Sequence, residues 1–381
     1  MNAELAVPPL AELRLRRSIK WRTFPDDVLP LFVAEMDYPL APPVASVLSE
    51  AVGRGDLGYS AAVPELGKAF VGFAGRQWGW EVDPGAVTAV TDVGVGVVEL
   101  LRRLVRPGEP VVISPPVYPP FFHWVPEAGG RVVEVPLAGN KLDLAAIEAA
   151  FATHPAAYLL CNPQNPVGRV HTADELAELV RLSRHYGVPI ISDEIHGALV
   201  LPGATFTPLL AVPGAAEVAL SVVSASKAFN LAGLKCAAIV SAAPTMARVV
   251  DGLFAEVNER TGHLGVLASV AAFTDGGPWL ATLLETLTAR REQLGSLLAA
   301  RLPSVRWSPP EATYLAWLDA SALGRDAEPR DRFLAEARVA LEPGPRFGAA
   351  GSGYVRLNYA TAPEILAEAV TRMATVPAVS R

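Results

Sequence analysis

A lysine at the end of an apolar run is the first residue of this sequence whose surroundings suggest covalent chemistry. Lys227 closes the segment Ser-Ala-Ser-Lys (224–227), which follows the apolar run 218–223 and precedes a turn at Gly233. Small neighbours leave room for a bulky partner, and apolar walls lower the pKa of a lysine towards its neutral, nucleophilic form. Such an amine forms a Schiff base with a carbonyl compound. The competing interpretation of this stretch alone is a strand-end lysine that reaches water.

Two glycines begin a predicted helix that follows another apolar run. Gly94-Val95-Gly96 comes after residues 86–91, and backbone N–H groups at a helix start suit a phosphate when bulky side chains are absent. The stretch superficially resembles a dinucleotide fingerprint, but Glu99 replaces the third glycine and no acidic strand end follows at the usual distance. This argues against a dehydrogenase. On this stretch alone, a phosphate site and a glycine-rich helix start without a ligand are equal alternatives.

Amide, carboxylate and aromatic side chains follow three further apolar runs. The stretch Asn-Pro-Gln-Asn-Pro-Val-Gly (162–168) contains two Asn-Pro pairs, which force a turn and hold an amide in fixed geometry. Asp193 ends the next run, where a buried carboxylate needs a cationic or N–H partner, and His196 by itself would be an ordinary core histidine. Tyr118 lies between prolines in residues 115–120, which suits either a stacking platform or a packed core ring.

These segments are expected to meet, because ligands of an open parallel sheet bind outside the carboxyl ends of its strands. Together they fit a flat, phosphorylated, cationic heteroaromatic aldehyde. Lys227 suits the aldehyde, the helix start the phosphate, Asp193 the ring nitrogen and Tyr118 the ring face, while donors such as the amide suit the phenolic oxygen. Pyridoxal 5′-phosphate meets all five requirements.

The elements that must position these residues alternate from Pro43 to about residue 275. We predict strands at 86–91, 110–114, 131–135, 156–161, 188–192, 218–223 and 236–241, and helices at 44–52, 64–78, 94–105, 143–152 and 173–186. Continuously apolar strands between amphipathic helices imply a mostly parallel sheet covered on both faces. After residue 275, short strands mix with helices, as in a separate α+β domain. We therefore expect a large domain at 43–275 and a small domain formed by 1–42, mostly irregular, together with 276–381.

Composition restricts the class of partner and the compartment. The chain has 381 residues, of which 51% are hydrophobic, and a net charge of −7 without basic runs, so nucleic acid is not an expected partner. Only two cysteines occur, too few for a disulfide framework or a cysteine-rich metal site. No signal-peptide pattern and no apolar run of about 18 residues is present. The sequence predicts a soluble, cytoplasmic protein that needs neither a metal nor a membrane.

Four motifs carry a resemblance to a known family. They are Asn-Pro-Gln-Asn-Pro-Val-Gly (162–168), Asp-Glu-Ile-His (193–196), Ser-Ala-Ser-Lys (224–227) and Tyr-Val-Arg-Leu-Asn-Tyr (354–359). In this order and at this spacing, the chain resembles the fold-type I pyridoxal-phosphate enzymes of the aminotransferase class I/II family over nearly its whole length. The resemblance implies the aspartate aminotransferase fold type I, with a mostly parallel central sheet sandwiched by helices and a smaller α+β domain.

The resemblance implies roles around the cofactor ring. Lys227 matches the lysine that binds the cofactor aldehyde, and Asp193 matches the partner of the ring nitrogen. Asn165 and His196 fall where the family places donors to the phenolic oxygen, with His196 in a position that is tyrosine in many aminotransferases. Tyr118 resembles the aromatic residue that stacks on the ring.

A second group of residues resembles the family's phosphate cup. Gly94, Val95, Ser224 and Ser226 match its members. Lys235 departs from the pattern, because many aminotransferases have an arginine eight residues after the cofactor lysine. Lysine still supplies a positive charge, but it lacks the two-pronged geometry of a guanidinium.

The remaining matches concern the substrate and the assembly. Arg356 resembles the arginine that grips the substrate α-carboxylate with two hydrogen bonds. Tyr59 matches a tyrosine that, in the family, reaches the neighbouring subunit's site, so a homodimer is expected and Tyr59 joins Lys227 and Asp193 among the expected catalytic residues.

Several segments further resemble the cystathionine β-lyase-like C–S lyases, namely Lys20-Trp21, Ala-Glu-Met-Asp (34–37), Pro-Pro-Val-Tyr-Pro-Pro-Phe-Phe (115–122), Asp-Glu-Ile-His (193–196) and the stretch 226–235. The implied reaction is α,β-elimination from L-cystathionine or a related cysteine S-conjugate, which yields a thiol, pyruvate and ammonia. Transamination between an amino acid and a 2-oxo acid uses the same residues and stays as the alternative. A transcription regulator's cofactor-sensing domain is disfavoured, because residues 1–42 are too short and proline-rich for a helix-turn-helix.

Overall fold

The computed structural model describes residues 4–60, 64–323 and 327–378. Its strands are β1 (Leu29–Pro30), β2 (Val87–Val90), β3 (Pro110–Ile113), β4 (Arg131–Glu134), β5 (Ala157–Cys161), β6 (Ile190–Asp193), β7 (Ala219–Val223), β8 (Ala237–Val240), β9 (Arg306–Trp307), β10 (Leu315–Asp319), β11 (Val339–Ala340), β12 (Glu342–Pro343) and β13 (Tyr354–Asn358). Its helices are α1 (Leu10–Leu13), α2 (Ile19–Arg22), α3 (Pro42–Arg54), α4 (Pro64–Trp78), α5 (Val93–Leu104), α6 (Phe121–Glu127), α7 (Leu144–Phe151), α8 (Ala173–Tyr186), α9 (Pro244–Asp251), α10 (Ala255–Glu259), α11 (His263–Asp275), α12 (Gly277–Arg301), α13 (Pro329–Glu336) and α14 (Pro363–Met373).

The largest sheet has seven strands in the order β2-β8-β7-β6-β5-β3-β4. Six of them, β2 to β7, run in the same direction, whereas β8 is antiparallel to both of its neighbours, β2 and β7. Every residue of β5, β6 and β7 is buried, as expected for strands covered on both faces. Cys161 lies opposite Asp193 in register, and Asp193 opposite Val222. The carboxyl ends of these three strands therefore share one edge, and the predicted mostly parallel sheet is confirmed.

Successive residues along β5 enter different apolar clusters, so the sheet has a packed layer on each face. Tyr158 and Leu160 belong to one buried cluster, and Leu159 and Cys161 belong to the other. The helices that form these layers begin at recognisable signals. For example, the side chain of Thr172 caps α8 in a reciprocal capping box, and Gly187 ends that helix in the left-handed region at φ 69°.

A smaller antiparallel sheet has the order β12-β13-β10-β9 and carries Arg356 on β13. The short strand β1 pairs in parallel with β11, and the Asn358 N–H donates to the carbonyl of Leu31 at 2.9 Å. The N-terminal segment therefore lies against this C-terminal sheet. The division into domains at residues 43 and 275 stays a prediction.

Three helices between β8 and α12 were not predicted, and α11 shows why. Its sequence is rich in Ala, Val and Leu, and its buried residues include Gly265, Ala268 and Ala272. A helix packed on several sides has no polar stripe, so the periodicity that identifies an amphipathic helix is absent. Within the described ranges, no helix combines the length and the apolar character that crossing a bilayer requires.

Candidate active site

A cavity of about 300 Å³ lies outside the carboxyl ends of β5, β6 and β7. The structure brings most of the predicted site residues to its wall: Gly94, Tyr118, Asn165, Asp193, His196, Ser224, Ser226, Lys227 and Lys235. Ala34, Asp92, Trp124 and both cysteines complete much of the lining, and sequence reasoning gave none of them a role. Parallel strands thus bring together residues that are far apart in the chain.

Lys227 follows β7 and directs its amine into this cavity. Its Nζ donates a hydrogen bond to the carbonyl of Ala34 at 3.0 Å. Burial, followed by the nearby Arg356 charge, lowers the pKa of Lys227 to about 8, although Asp193 acts in the opposite direction. A substantial fraction of the amine is therefore neutral near physiological pH, as a nucleophile or a general base requires.

Asp193 is the last residue of β6, so its carboxylate stands at the edge of the sheet. Its Oδ1 accepts a hydrogen bond from the Ile195 N–H at 3.1 Å. Burial nevertheless raises the pKa of Asp193 to about 7, and the Ile195 N–H and Lys227 offset this effect only in part. A buried carboxylate in this condition is suited to a cationic N–H partner, which would hold it in the ionised form.

Asn165 and His196 face the cavity from neighbouring strand ends. Asn165 Oδ1 accepts a hydrogen bond from Arg356 Nη1 at 3.1 Å, which fixes the orientation of the amide. The Nδ1 atom of His196 is buried and has no hydrogen-bond partner among the described residues. Burial, then the charges of Lys227 and Arg356, move the pKa of His196 well below its usual value, so the ring is neutral. A neutral imidazole with an unpartnered nitrogen is available to an oxygen-bearing ligand.

Aromatic rings form one wall of the cavity. Tyr118 and Trp124 meet edge to face with centroids 5.7 Å apart. Gln164 holds the turn before Tyr118, because its Nε2 donates to the carbonyls of Ser114 and Pro116 at 3.0 and 2.8 Å. A Cβ atom on Gly94 would lie 2.9 Å from the Trp124 indole, so only glycine fits at this helix start. The predicted absence of a bulky side chain there thus has a packing reason, which the sequence did not indicate.

The residues predicted for the phosphate lie together, but several already bond to one another. Lys235 Nζ pairs with Asp92 Oδ2 at 3.0 Å, and Asp92 Oδ1 accepts the Val95 N–H at 2.8 Å as the cap of α5. Ser224 Oγ donates to the carbonyl of Cys236 at 2.7 Å and accepts the Ser226 N–H at 3.1 Å. Val95 itself does not line the cavity. Asp92 is the residue that sequence reasoning missed at this end.

Arg356 does not line the cavity itself but bonds to Asn165 in its wall, and it is only 4% exposed. Besides Asn165, its guanidinium donates through Nη2 to the carbonyl of Phe32 at 3.0 Å and lies over the Phe347 ring, 5.0 Å from the centroid. Its Nε is buried without a hydrogen-bond partner in the described part of the chain, where no carboxylate forms an ion pair with Arg356. A buried cation held only by uncharged groups is suited to an anionic ligand.

The segment 32–37 crosses the site and is held by side chains from both sheets. The carbonyl of Ala34 accepts from the Tyr314 hydroxyl at 3.1 Å as well as from Lys227. Asn358 Nδ2 donates to the carbonyls of Val33 and Glu35 at 2.8 and 2.7 Å. These partners are backbone groups, so no residue type in 32–37 could have revealed them.

A buried ion pair fixes the end of the same segment. Lys20 Nζ and Asp37 Oδ2 lie 2.9 Å apart, and their side chains are 0% and 1% exposed. Trp21 Nε1 also donates to Asp37 Oδ1 at 3.2 Å. In the sequence these residues carry only the family resemblance, and in the structure they share one position.

Like Val95 and Arg356, the predicted site residue Tyr59 does not line the cavity. Its side chain is 99% exposed and lines a second surface cavity of about 860 Å³ with Pro64, Lys68 and Ala255. Within one chain, Tyr59 therefore has no contact with Lys227 or Asp193.

The chain matches known proteins over most of its length. The family model for aminotransferase class I and II matches residues 26–373. A protein of Mycobacterium leprae (strain TN), provisionally named a cystathionine β-lyase, is 45% identical over 96% of this chain and 96% of its own length. The cystathionine β-lyase PatB of Bacillus subtilis (strain 168) is 33% identical over 90% of this chain and 92% of its own length.

Solved structures also match this chain over most of its length. A crystal structure from Corynebacterium diphtheriae, provisionally described as a PLP-dependent β-cystathionase, covers 98% of both chains with a TM-score of 0.93 and 32% identity. The aspartate aminotransferase of Thermus thermophilus covers 91% of this chain and 90% of its own, with a TM-score of 0.81 and 26% identity. The fold predicted from the sequence is thereby confirmed.

Proposed function

This chain belongs to the aminotransferase class I and II family, and we propose that it is a pyridoxal-5′-phosphate-dependent C–S lyase. Its substrate would be L-cystathionine or a related cysteine S-conjugate, which it would cleave to a thiol, pyruvate and ammonia. The names of its relatives support this reaction. The observation that carries the proposal is the meeting of a low-pKa lysine, Lys227, with the buried carboxylate of Asp193 in one cavity.

The residues present fit the cofactor. The unpartnered Nδ1 of His196 and the raised pKa of Asp193 both call for a ligand with an oxygen atom and a protonated ring nitrogen. Lys227, Asp193, His196, Asn165 and Tyr118 would hold the ring, and the helix start with Ser224, Ser226 and Lys235 would hold the phosphate. When bound, pyridoxal 5′-phosphate supplies an electron-accepting ring that stabilises negative charge at the substrate Cα.

The chain's own residues then have separate tasks. Arg356 binds the substrate carboxylate through the donors that its protein partners leave free. Lys227 Nζ removes the proton from the substrate Cα as a general base, a role that fits its pKa of about 8. Asp193 stays ionised and holds the proton on the ring nitrogen. The departing sulfur receives a proton from Lys227 or from Tyr59 of a neighbouring subunit.

We also propose that the enzyme is a homodimer in which Tyr59 acts in the other subunit's site. Tyr59, Leu57, Val52 and Phe254 are exposed apolar or aromatic side chains, and covering them would lower the free energy of the assembly. Tyr59→Phe should lower activity and Lys227→Ala should abolish it. A mixture of the two chains should be more active than either alone, because each mixed dimer contains one site with both residues. Mixtures that are no more active than the separate chains would contradict this arrangement.

A cytoplasmic location, in keeping with two unpaired buried cysteines, belongs to the same proposal.

The decisive assay separates elimination from transamination. Purified protein with added cofactor receives L-cystathionine without a keto acid, or an L-amino acid with a keto acid. The lyase proposal predicts free thiol and pyruvate in the first mixture. Amino-group exchange in the second mixture, with no thiol in the first, would instead assign the chain to the aminotransferases that share its residues and fold.

A further inference from the structure

A short turn beside Arg356 touches it through an aromatic ring. The turn Gly344–Phe347 is a single 3₁₀ turn between β12 and β13. Phe347 is fully buried, and its ring supports the Arg356 guanidinium at 5.0 Å. Trp317 contacts the Phe347 ring edge to face, with ring centroids 5.1 Å apart. Trp317 also stacks on Tyr354, again with centroids 5.1 Å apart. The ring under the guanidinium is therefore fixed by its own neighbours.

The same turn also controls the nearest acidic residue. Glu342 lies directly opposite Arg356 in the register of β12 and β13 and is buried. Its position makes it the natural counter-ion of Arg356, and it helps to sustain the charge on that guanidinium. The Glu342 carboxylate, however, accepts a hydrogen bond from Arg346 Nη1 at 2.5 Å. In the described ranges, no ion pair joins Glu342 to Arg356.

This arrangement decides how much positive charge is left for a ligand. A buried cation normally pairs with a carboxylate, because removing a charge from water is costly. A protein carboxylate on Arg356 would compete with the carboxylate of the substrate. The Phe347 ring and the carbonyl of Phe32 hold the guanidinium by uncharged contacts, so its charge is not neutralised.

We propose that the turn Gly344–Phe347 sets the affinity of the site for a substrate carboxylate. The ring of Phe347 packs against the Arg356 guanidinium. Arg346 binds the Glu342 carboxylate and so keeps Glu342 from pairing with Arg356. Both act through Arg356 and are positioning residues. The inference rests on the proposed role of Arg356 in binding that carboxylate.

The first test changes Arg346, whose side chain is 58% exposed, so that its loss leaves the core intact. The cofactor-loaded protein is titrated with L-alanine, which has no leaving group at Cβ, and with ethylamine, which lacks the carboxylate. Binding is followed through the absorbance of the bound cofactor. In Arg346→Leu, the affinity for alanine should fall roughly tenfold, as Glu342 turns to Arg356, while that for ethylamine stays the same. Adding Glu342→Gln should restore the affinity for alanine.

The second test changes the ring itself. In Phe347→Leu the affinity for alanine should fall by roughly threefold to thirtyfold, the range expected from a lost cation–π contact, and that for ethylamine should not change. Phe347→Tyr keeps the ring and should behave like the wild type. Phe73→Leu is the matched control, because Phe73 is equally buried among aromatic rings but has no cation over its ring in the described part of the chain.

The comparison of the two ligands within one variant separates positioning from loss of structure. Equal losses for alanine and ethylamine in Arg346→Leu or Phe347→Leu would overturn the inference, and so would a double variant that Glu342→Gln fails to restore. A wild-type protein that binds alanine no better than ethylamine would also overturn it. A wild-type protein that prefers alanine but releases no thiol from cystathionine would overturn only the lyase proposal.

Discussion

Two cations of the site, Arg356 and Lys235, are held in opposite ways. Arg356 is almost fully buried, and its partners are an amide oxygen, a carbonyl and an aromatic ring. By contrast, the side chain of Lys235 is 55% exposed, and its amine pairs with the carboxylate of Asp92. One cation is thus desolvated and not neutralised, whereas the other is solvated and already paired.

The difference indicates where binding energy is concentrated. A desolvated cation interacts strongly with an anion, because little water screens the pair, while an exposed ion pair contributes about 0–1 kcal/mol. We therefore expect the carboxylate of the substrate to depend heavily on Arg356. Binding of the cofactor phosphate should depend more on the helix start and the serines than on Lys235. The phosphate would have to compete with Asp92 for that lysine.

Removal of Arg356 should give the largest effect. In Arg356→Leu, kcat/KM should fall by about 10³, since loss of one partner of a buried charge pair costs about 2–5 kcal/mol. The free energy of unfolding of the ligand-free protein should not fall, because an unpaired buried charge is replaced by an apolar side chain. Arg306→Leu, an exposed arginine on the same sheet, is the control. A loss below tenfold would place the carboxylate elsewhere.

Asp193 is a buried carboxylate that forms no ion pair among the described residues, and Lys227 only partly offsets the effect of its burial. Its pKa of about 7 lies above the 3.8 of an unfolded chain, so the folded state binds the extra proton between these values and stability falls as pH rises through this window. Above pH 7, cofactor-free Asp193→Asn should be more stable than the wild type by about 4 kcal/mol, and the difference should disappear towards pH 4. Denaturant unfolding at both pH values measures this. A difference independent of pH would mean that Asp193 is not destabilised by its charge.

Loss of Lys235 should have a smaller effect. In Lys235→Met, the affinity for the cofactor should fall by about fivefold. This corresponds to the loss of an exposed ion pair that contributes about 1 kcal/mol. The loss should shrink further at high salt, which screens exposed charges. Equilibrium titration of the cofactor-free protein is the measurement, with the exposed Lys141→Met as the control. A hundredfold loss would show that the exposed, paired Lys235 contributes as much binding energy as the buried Arg356.

Asp92→Asn should give the smallest effect and the opposite sign. The amide oxygen still caps the Val95 N–H, but Lys235 loses its counter-ion and becomes available to the phosphate. The affinity for the cofactor should rise by about twofold, and this gain should vanish when Lys235→Met is added. A lower affinity in the single variant would show instead that Asp92 holds Lys235 in its binding position.

The parts of the site that the sequence predicted are those fixed by strand ends. Lys227, Asp193 and Asn165 each follow a continuously apolar run, and such runs become parallel strands whose ends share one edge. The direction of the chain after each strand is then set by the sheet itself. For these residues, local pattern and topology together were sufficient to predict a common cavity.

The missing parts depend on contacts between distant residues or on backbone groups. The carbonyl of Ala34 carries no side-chain signal, yet it accepts from both Lys227 and Tyr314. Asp92 and Lys235 are 143 positions apart, and their pairing follows from how α5 meets the segment after β7. Tyr59 cannot be assigned from one chain, since its predicted role needs a second subunit.

The catalytic role of this cavity is tested by locating the cofactor on the chain. Purified protein incubated with pyridoxal 5′-phosphate is reduced with borohydride, digested and analysed by mass spectrometry. We predict that the cofactor is fixed to the peptide containing Lys227, and that Lys227→Ala protein stays colourless and unlabelled. A label on another lysine, or an equal label in Lys227→Ala, would contradict the assignment of this cavity as the catalytic site.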